Sequence, residues 1–205
     1  MKIIKEMPKD YKRITTLSLQ KDKKASTLVN IISIIIGIAM LIPMHIINPI
    51  TSVINLSEGM EGIMTEIIAL VIAMTVYIIL HEAIHALFMK ILGCEKIKFM
   101  FTGLYTFAAT DELIPMNSFT LIALAPVIIL GIILLVCCII IPLPVLWLIY
   151  IILVVNVSGV VGDVYNIIKL SKLPKDILIH DNGLSMNIYS KEDYVEIPKE
   201  KEYEI

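Results

Sequence analysis

Four apolar stretches decide most of what this chain can fold into: Leu28 to Ile47, Glu66 to Met89, Phe119 to Ile141, and Val145 to Ile168. Each reaches the roughly 20 residues that a helix needs to cross a hydrocarbon core of about 30 Å. With 58% hydrophobic residues over 205 positions, the chain is too apolar for a soluble domain of its length. The expected fold is an all-α polytopic membrane protein with four transmembrane helices, a small β-hairpin after the second span and a short cytoplasmic C-terminal tail. On this reading residues 1–27 form a basic N-terminal segment, 28–170 the four-span membrane domain and 171–205 the tail.

The placement of cations orients the spans. All 17 Lys and Arg fall in three places: eight before Leu28, three at Lys90, Lys96 and Lys98, and six from Lys169 onward. The positive-inside rule then puts both termini and the middle loop in the cytoplasm, with Asn48 to Thr65 and Pro142 to Pro144 outside. The polar first 27 residues and the long apolar run after them, with no small-residue cleavage site, read as a retained span, not a cleaved signal. Cys94, Cys137 and Cys138 have neither ligand spacing nor a disulfide framework and receive no role. The lipid bilayer is the expected surrounding, and nothing points to nucleic acid.

Within the second span, Tyr77 to Lys90 reads YIILHEAIHALFMK, an H-E-x-x-H pattern. On a helix His81 and His85, four apart, point to one side and can fill two positions around a tetrahedral zinc ion. Glu82 flanks that face, placed to take a proton from water acidified by the metal. An ionisable group inside a membrane costs roughly 2.5 to 3.5 kcal/mol on insertion scales, so three clustered polar groups imply a partner. Zn2+ is the partner that fits the spacing.

A catalytic zinc needs a third protein ligand. Asp163 lies six residues before Lys169, about 9 Å from the cytoplasmic end of its helix. His81 and His85 lie roughly 8 to 13 Å before Lys90 by the same count. The matching depths make Asp163 the expected third ligand, with Asp111 and Glu95 as alternatives from the middle loop. Asn156 and Gly159 share the helical face of Asp163. Gly159 would allow close helix approach, and Asn156 could hydrogen-bond a substrate backbone or a ligand.

Elsewhere the pattern is structural. Gly93 reads as a helix stop, and the period-two alternation from Lys96 to Phe101, with Thr102-Gly103 before Leu104 to Phe107, predicts a hairpin whose edge could accept an extended peptide. The third span, with Pro126 and Gly131 allowing a kink, is expected to be structural. Trp147 and Tyr150 suggest an aromatic belt at the outer face. Ile177 to His180 and Leu184 to Tyr189 around Asp181-Asn182-Gly183 predict a second hairpin in the tail, while the basic N-terminal segment is expected to be solvated.

The H-E-A-I-H of 81–85, followed two spans later by Asn156-x-x-Gly159-x-x-x-Asp163, resembles a family of zincin peptidases of unknown function related to site-2 intramembrane zinc metalloproteases. The resemblance covers Glu66 to about Ile168. It departs from the site-2 pattern at Asp163, which stands between Gly162 and Val164 where those enzymes carry Asn-Pro-Asp-Gly-like or Leu-Asp-Gly-like motifs. It implies a zinc endopeptidase with Glu82 catalytic, its site below the cytosolic surface, cutting a membrane protein substrate in or near a transmembrane segment. The competing reading is a non-proteolytic membrane binding or assembly protein with a structural or degenerate zinc site. A small transporter ranks behind both, because nothing resembles paired broken helices.

Overall fold

The computed structural model describes residues 3–50, 59–101, 106–183 and 185–191. Four long apolar helical runs dominate it. Helix α1 (Lys23–Ile47) starts where the Asp22 carboxylate accepts the Ala25 amide at 3.1 Å, and stops at Asn48, whose N–H donates to the Met44 carbonyl at 2.8 Å. Helix α2 (Gly59–Ile91) has 33 residues, about 50 Å at 1.5 Å each, longer than the hydrocarbon it must cross. It ends as expected at Gly93, whose φ of +101° is open to glycine. There the Gly93 amide turns back to the Lys90 carbonyl at 3.0 Å and the Cys94 amide to that of Met89 at 2.9 Å.

Helix α3 (Met116–Ile140) follows Pro115 and is helical through Pro126. The fourth span is divided into α4 (Leu143–Gly159) and α5 (Val161–Leu170), separated at Val160. Four such apolar runs fit a multi-pass membrane protein. The side chains facing away from the bundle agree: Ile34, Ile35, Ile38, Ile72, Ile132 and Ile139 are exposed apolar groups that water would penalise and lipid would not.

The first predicted hairpin is present as β2 (Ile97–Phe101) and β3 (Thr106–Thr110), antiparallel with Phe99 opposite Ala108. The turn expected at Thr102-Gly103 lies outside the described residues. The second hairpin, β5 (Leu178–Asp181) and β6 (Met186–Ser190), is present too, but it is not a free tail. It belongs to a four-stranded sheet in the order β1-β6-β5-β4, with β1 (Lys12–Leu17) on one edge and β4 (Ile114–Pro115) on the other.

The N-terminal segment is therefore not simply solvated. Ile14 and Leu17 pack on the core beside Ile188, and Thr16 donates its hydroxyl to Asn187 at 2.9 Å. Ile14 and Leu17 are three apart, which a strict period of two would put on opposite faces, and the register shift between Arg13 and Thr15 lets both turn to the core. Met89, Phe119, Ile122, Leu170, Ile179 and Ile188 lie in one buried cluster that binds this sheet to the ends of α2, α3 and α5.

Trp147 corrects another expectation. It is 2% exposed, packed with Met44 and Leu146, and its indole N–H donates to the Asn48 carbonyl at 2.9 Å. Tyr150 donates to the Met40 carbonyl at 2.6 Å. These rings fasten α4 to the end of α1, where their polar tips find backbone acceptors, and do not form a lipid-facing belt. His45 stays outside the site, its Nδ1 accepting the Ile50 amide at 3.2 Å.

Candidate metal centre

Three side chains from the last turns of α2 bring their ligand atoms within 4.8 Å of one another: His81, Glu82 and His85. The helix alone accounts for this, since the two imidazoles lie one turn apart on one face. Their Nε2 atoms approach to 3.2 Å.

The protonation pattern follows from the partners. His85 Nδ1 lies 2.9 Å from the Ile122 carbonyl, which can only accept, so Nδ1 carries the hydrogen and a neutral ring leaves Nε2 as a lone pair. Tyr77 donates its hydroxyl hydrogen to Asn156 Oδ1 at 3.2 Å, so its oxygen accepts from His81 Nδ1, also 3.2 Å away. His81 Nε2 is then a lone pair as well. Asn156 completes the chain by donating from Nδ2 to the Val127 carbonyl at 3.1 Å.

Two lone pairs thus face each other at 3.2 Å, an arrangement that repels unless a cation lies between them. Zn–N bonds of 2.0–2.1 Å at a tetrahedral angle place two nitrogens about 3.3 Å apart. The residues fit zinc, and each imidazole has its other nitrogen held, as histidine ligands require.

Glu82 is held from the opposite side. Its Oε2 accepts the Ala108 amide at 2.8 Å. In an antiparallel pair, amides alternate between the partner strand and the free side, so Ala108 presents the outer edge of β3 to the Glu82 carboxylate. Beside it, Ile78, Ile79, Ala83, Phe99 and Met100 line an apolar pocket of about 320 Å³ in which Glu82 is the charged wall.

Asp163 stands in the first turn of α5, where the helix N-terminus favours a carboxylate. It lies outside the group of ligand atoms within 4.8 Å of one another. Asp163, Asn166, Asp181 and Asn30 line a polar cavity of about 410 Å³ between α1, α5 and the sheet. Burial pushes the Asp181 carboxyl up from its ordinary value, against the Gly183 amide that donates to its Oδ1 at 2.8 Å.

The other candidates separate from the centre. Asn156, 1% exposed, has both ends of its amide engaged and reaches His81 only through Tyr77. Gly159 does not serve close helix approach: it is exposed, and a Cβ there would meet nothing within 4 Å. Among the glycines of α3, α4 and α5 the tight one is Gly131, whose added Cβ would lie 3.2 Å from Asn156 Nδ2. Asp111 and Glu95 are exposed and paired with Lys98 and Lys5, which holds both carboxyls below their usual range. Burial pushes the Cys94 thiol up to about 11, consistent with its having no reactive role.

Sequence reasoning missed four contributors: Tyr77, the Ala108 amide, the Ile122 carbonyl and Asp181. Only Tyr77 left a usable signal, one helical turn before His81. The third span, expected to be structural, supplies two carbonyls to this network.

No curated protein and no solved structure matches the chain. Residues 74–178, which hold both histidines, Glu82 and Asp163, match the family described as "Putative zincin peptidase", and the match covers more than half of the protein. The chain belongs to that family of zinc metallopeptidases.

Proposed function

We propose that this protein is an intramembrane zinc endopeptidase that hydrolyses peptide bonds in or near the transmembrane segments of a membrane protein substrate. The observation that carries the reading is the convergence of His81 and His85 Nε2 to 3.2 Å, each ring anchored through Nδ1. His81 and His85 would hold the zinc, and Asp163, at the matching depth on α5, would complete the protein ligands. Bound zinc supplies Lewis acidity, which polarises the scissile carbonyl and acidifies water.

The remaining steps belong to the chain's own residues. Glu82 takes the proton from the attacking water and passes it to the departing amine nitrogen. The Ala108 amide keeps the carboxylate beside the imidazoles instead of letting it swing to lipid. The β3 edge supports docking of an unwound, extended stretch of substrate by main-chain pairing, and the apolar pocket beside Glu82 suits the side chains that a membrane segment presents. The polar cavity at Asp163 and Asp181 supports a route for water. With the cations distributed as they are, both termini and the site would face the cytoplasm.

The test uses Glu82→Gln. Glutamine keeps the shape but cannot take a proton, so zinc content should match wild type while cleavage of a co-expressed single-span reporter falls about 10²- to 10⁴-fold. Equal cleavage by both forms removes Glu82 from the mechanism.

A further inference from the structure

Helix α3 contains a proline at position 126, and the carbonyl that accepts from His85 is that of Ile122, four residues earlier. In an uninterrupted α-helix the carbonyl of residue i accepts the amide of residue i+4. Proline has no amide hydrogen, so Pro126 leaves the Ile122 carbonyl without its regular donor. Both residues are buried, Ile122 at 3% exposure and Pro126 below 2%. Within the hydrocarbon zone a carbonyl stripped of its partner must find another donor. His85 Nδ1–H, 2.9 Å away, takes that place.

We infer that Pro126 is a positioning residue for the metal centre: by withholding an amide it reserves the Ile122 carbonyl for His85, fixing that ring's tautomer and aim. The inference rests on the zinc reading of the preceding section. The two imidazoles are thereby held by different devices, His81 by the Tyr77–Asn156 relay and His85 by a carbonyl that α3 leaves unclaimed. Replacing Pro126 by alanine would restore a competing donor on the same helix. His85 Nδ1 would then share or lose its acceptor, and a larger fraction of the rings would carry the hydrogen on Nε2, where it blocks metal binding.

This role and a merely structural one predict opposite pairs of signs. A proline inside a helix ordinarily weakens it, so Pro126→Ala should leave the melting temperature of the metal-free chain unchanged or raised. Its zinc affinity, measured by chelator competition on the full chain in detergent micelles, should fall by about 10-fold. Pro43→Ala, which restores an amide inside α1 far from the centre, should leave zinc affinity unchanged. In the metal-free chain, ¹⁵N histidine spectra should show His85 protonated at Nδ1 in wild type and a tautomer mixture in Pro126→Ala. Equal zinc affinity in Pro126→Ala and wild type overturns the inference, as does an affinity loss accompanied by a lower metal-free melting temperature or shared by Pro43→Ala. If wild type itself binds no zinc, the metallopeptidase reading fails. The claim about the carbonyl then stands or falls on the His85 tautomer alone.

Discussion

Tyr77 is where the two imidazoles cease to be equivalent. His85 leans on a backbone carbonyl, whereas His81 depends on a hydroxyl whose own hydrogen goes to Asn156 across the α2–α4 interface. Tyr77→Phe removes that hydroxyl and leaves His81 Nδ1 and Asn156 Oδ1 without partners in a buried setting. Zinc affinity should fall about 10- to 100-fold, the usual consequence of losing a partner behind a ligand. Metal-free stability should fall by about 1 to 3 kcal/mol, measured by thermal melting. Unaltered zinc affinity in this variant would show that the relay does not govern His81. The His-Glu-His triplet was readable from spacing because one helix carries all three residues and needs no tertiary information. Ala108 and Ile122 were not, since they act through backbone groups that any residue possesses. Asn156 was picked out by its face on the fourth span, but not its route to the site, which runs through a tyrosine indistinguishable in sequence from a packing residue.

A tight contact joins the four-stranded sheet to the hairpin that holds Glu82. Gly183, at φ +81°, has no room for a side chain: an added Cβ would lie 1.9 Å from the Phe107 ring. Phe107 precedes Ala108, whose amide holds Glu82, so the turn of the β5–β6 hairpin backs the strand that positions the base. Gly183→Ala adds both a left-handed backbone penalty and a collision. It should cost about 1 to 3 kcal/mol in thermal melts and lower cleavage at unchanged zinc content. Cleavage equal to wild type would uncouple the hairpin from Glu82. The same sheet should respond to acid through Asp176. Burial opposes the charge on this carboxyl, but the Ser190 hydroxyl at 2.7 Å and the Lys191 amide at 2.8 Å outweigh it and hold it below its ordinary value. A depressed folded value stabilises the sheet above the unfolded value near about 3.9, and that contribution is lost as pH falls through the folded value. Asp176→Asn should therefore lower stability at neutral pH and flatten its acid limb, so that thermal melts of the two proteins converge as pH falls through the folded value. Both hairpins were legible from period-two alternation and, for the second, from the Asn-Gly turn. The four-stranded sheet was not. Thr16 meets Asn187 across 171 positions, and an edge strand of that kind is identified by its partner as much as by its own pattern.

Across the whole molecule, zinc would tie α2 directly to α5. His81 and His85 come from α2, while Asp163 comes from α5, beside the cavity that α5 shares with α1 and the sheet. A ligand that binds the folded chain and not the unfolded one stabilises it by RT ln(1 + [L]/Kd), about 2.7 kcal/mol when free zinc is 100 times Kd. Chelation should lower the melting temperature of wild type, and readdition of zinc should restore it in a concentration-dependent way. His85→Ala should show no zinc-dependent shift, because the remaining imidazole cannot hold the ion in a closed set. Asp163→Asn tests the span between helices. As the third ligand, its carboxylate oxygen contributes charge that an amide lacks, so zinc should still bind through the histidine pair but with a smaller shift at equal metal concentration. Helix-to-helix linkage is what distinguishes this outcome from a site confined to α2. A zinc-induced shift in Asp163→Asn as large as in wild type would leave His81 and His85 as ligands and pass the third position to another carboxylate, with Asp181, in the same cavity, the first to substitute next.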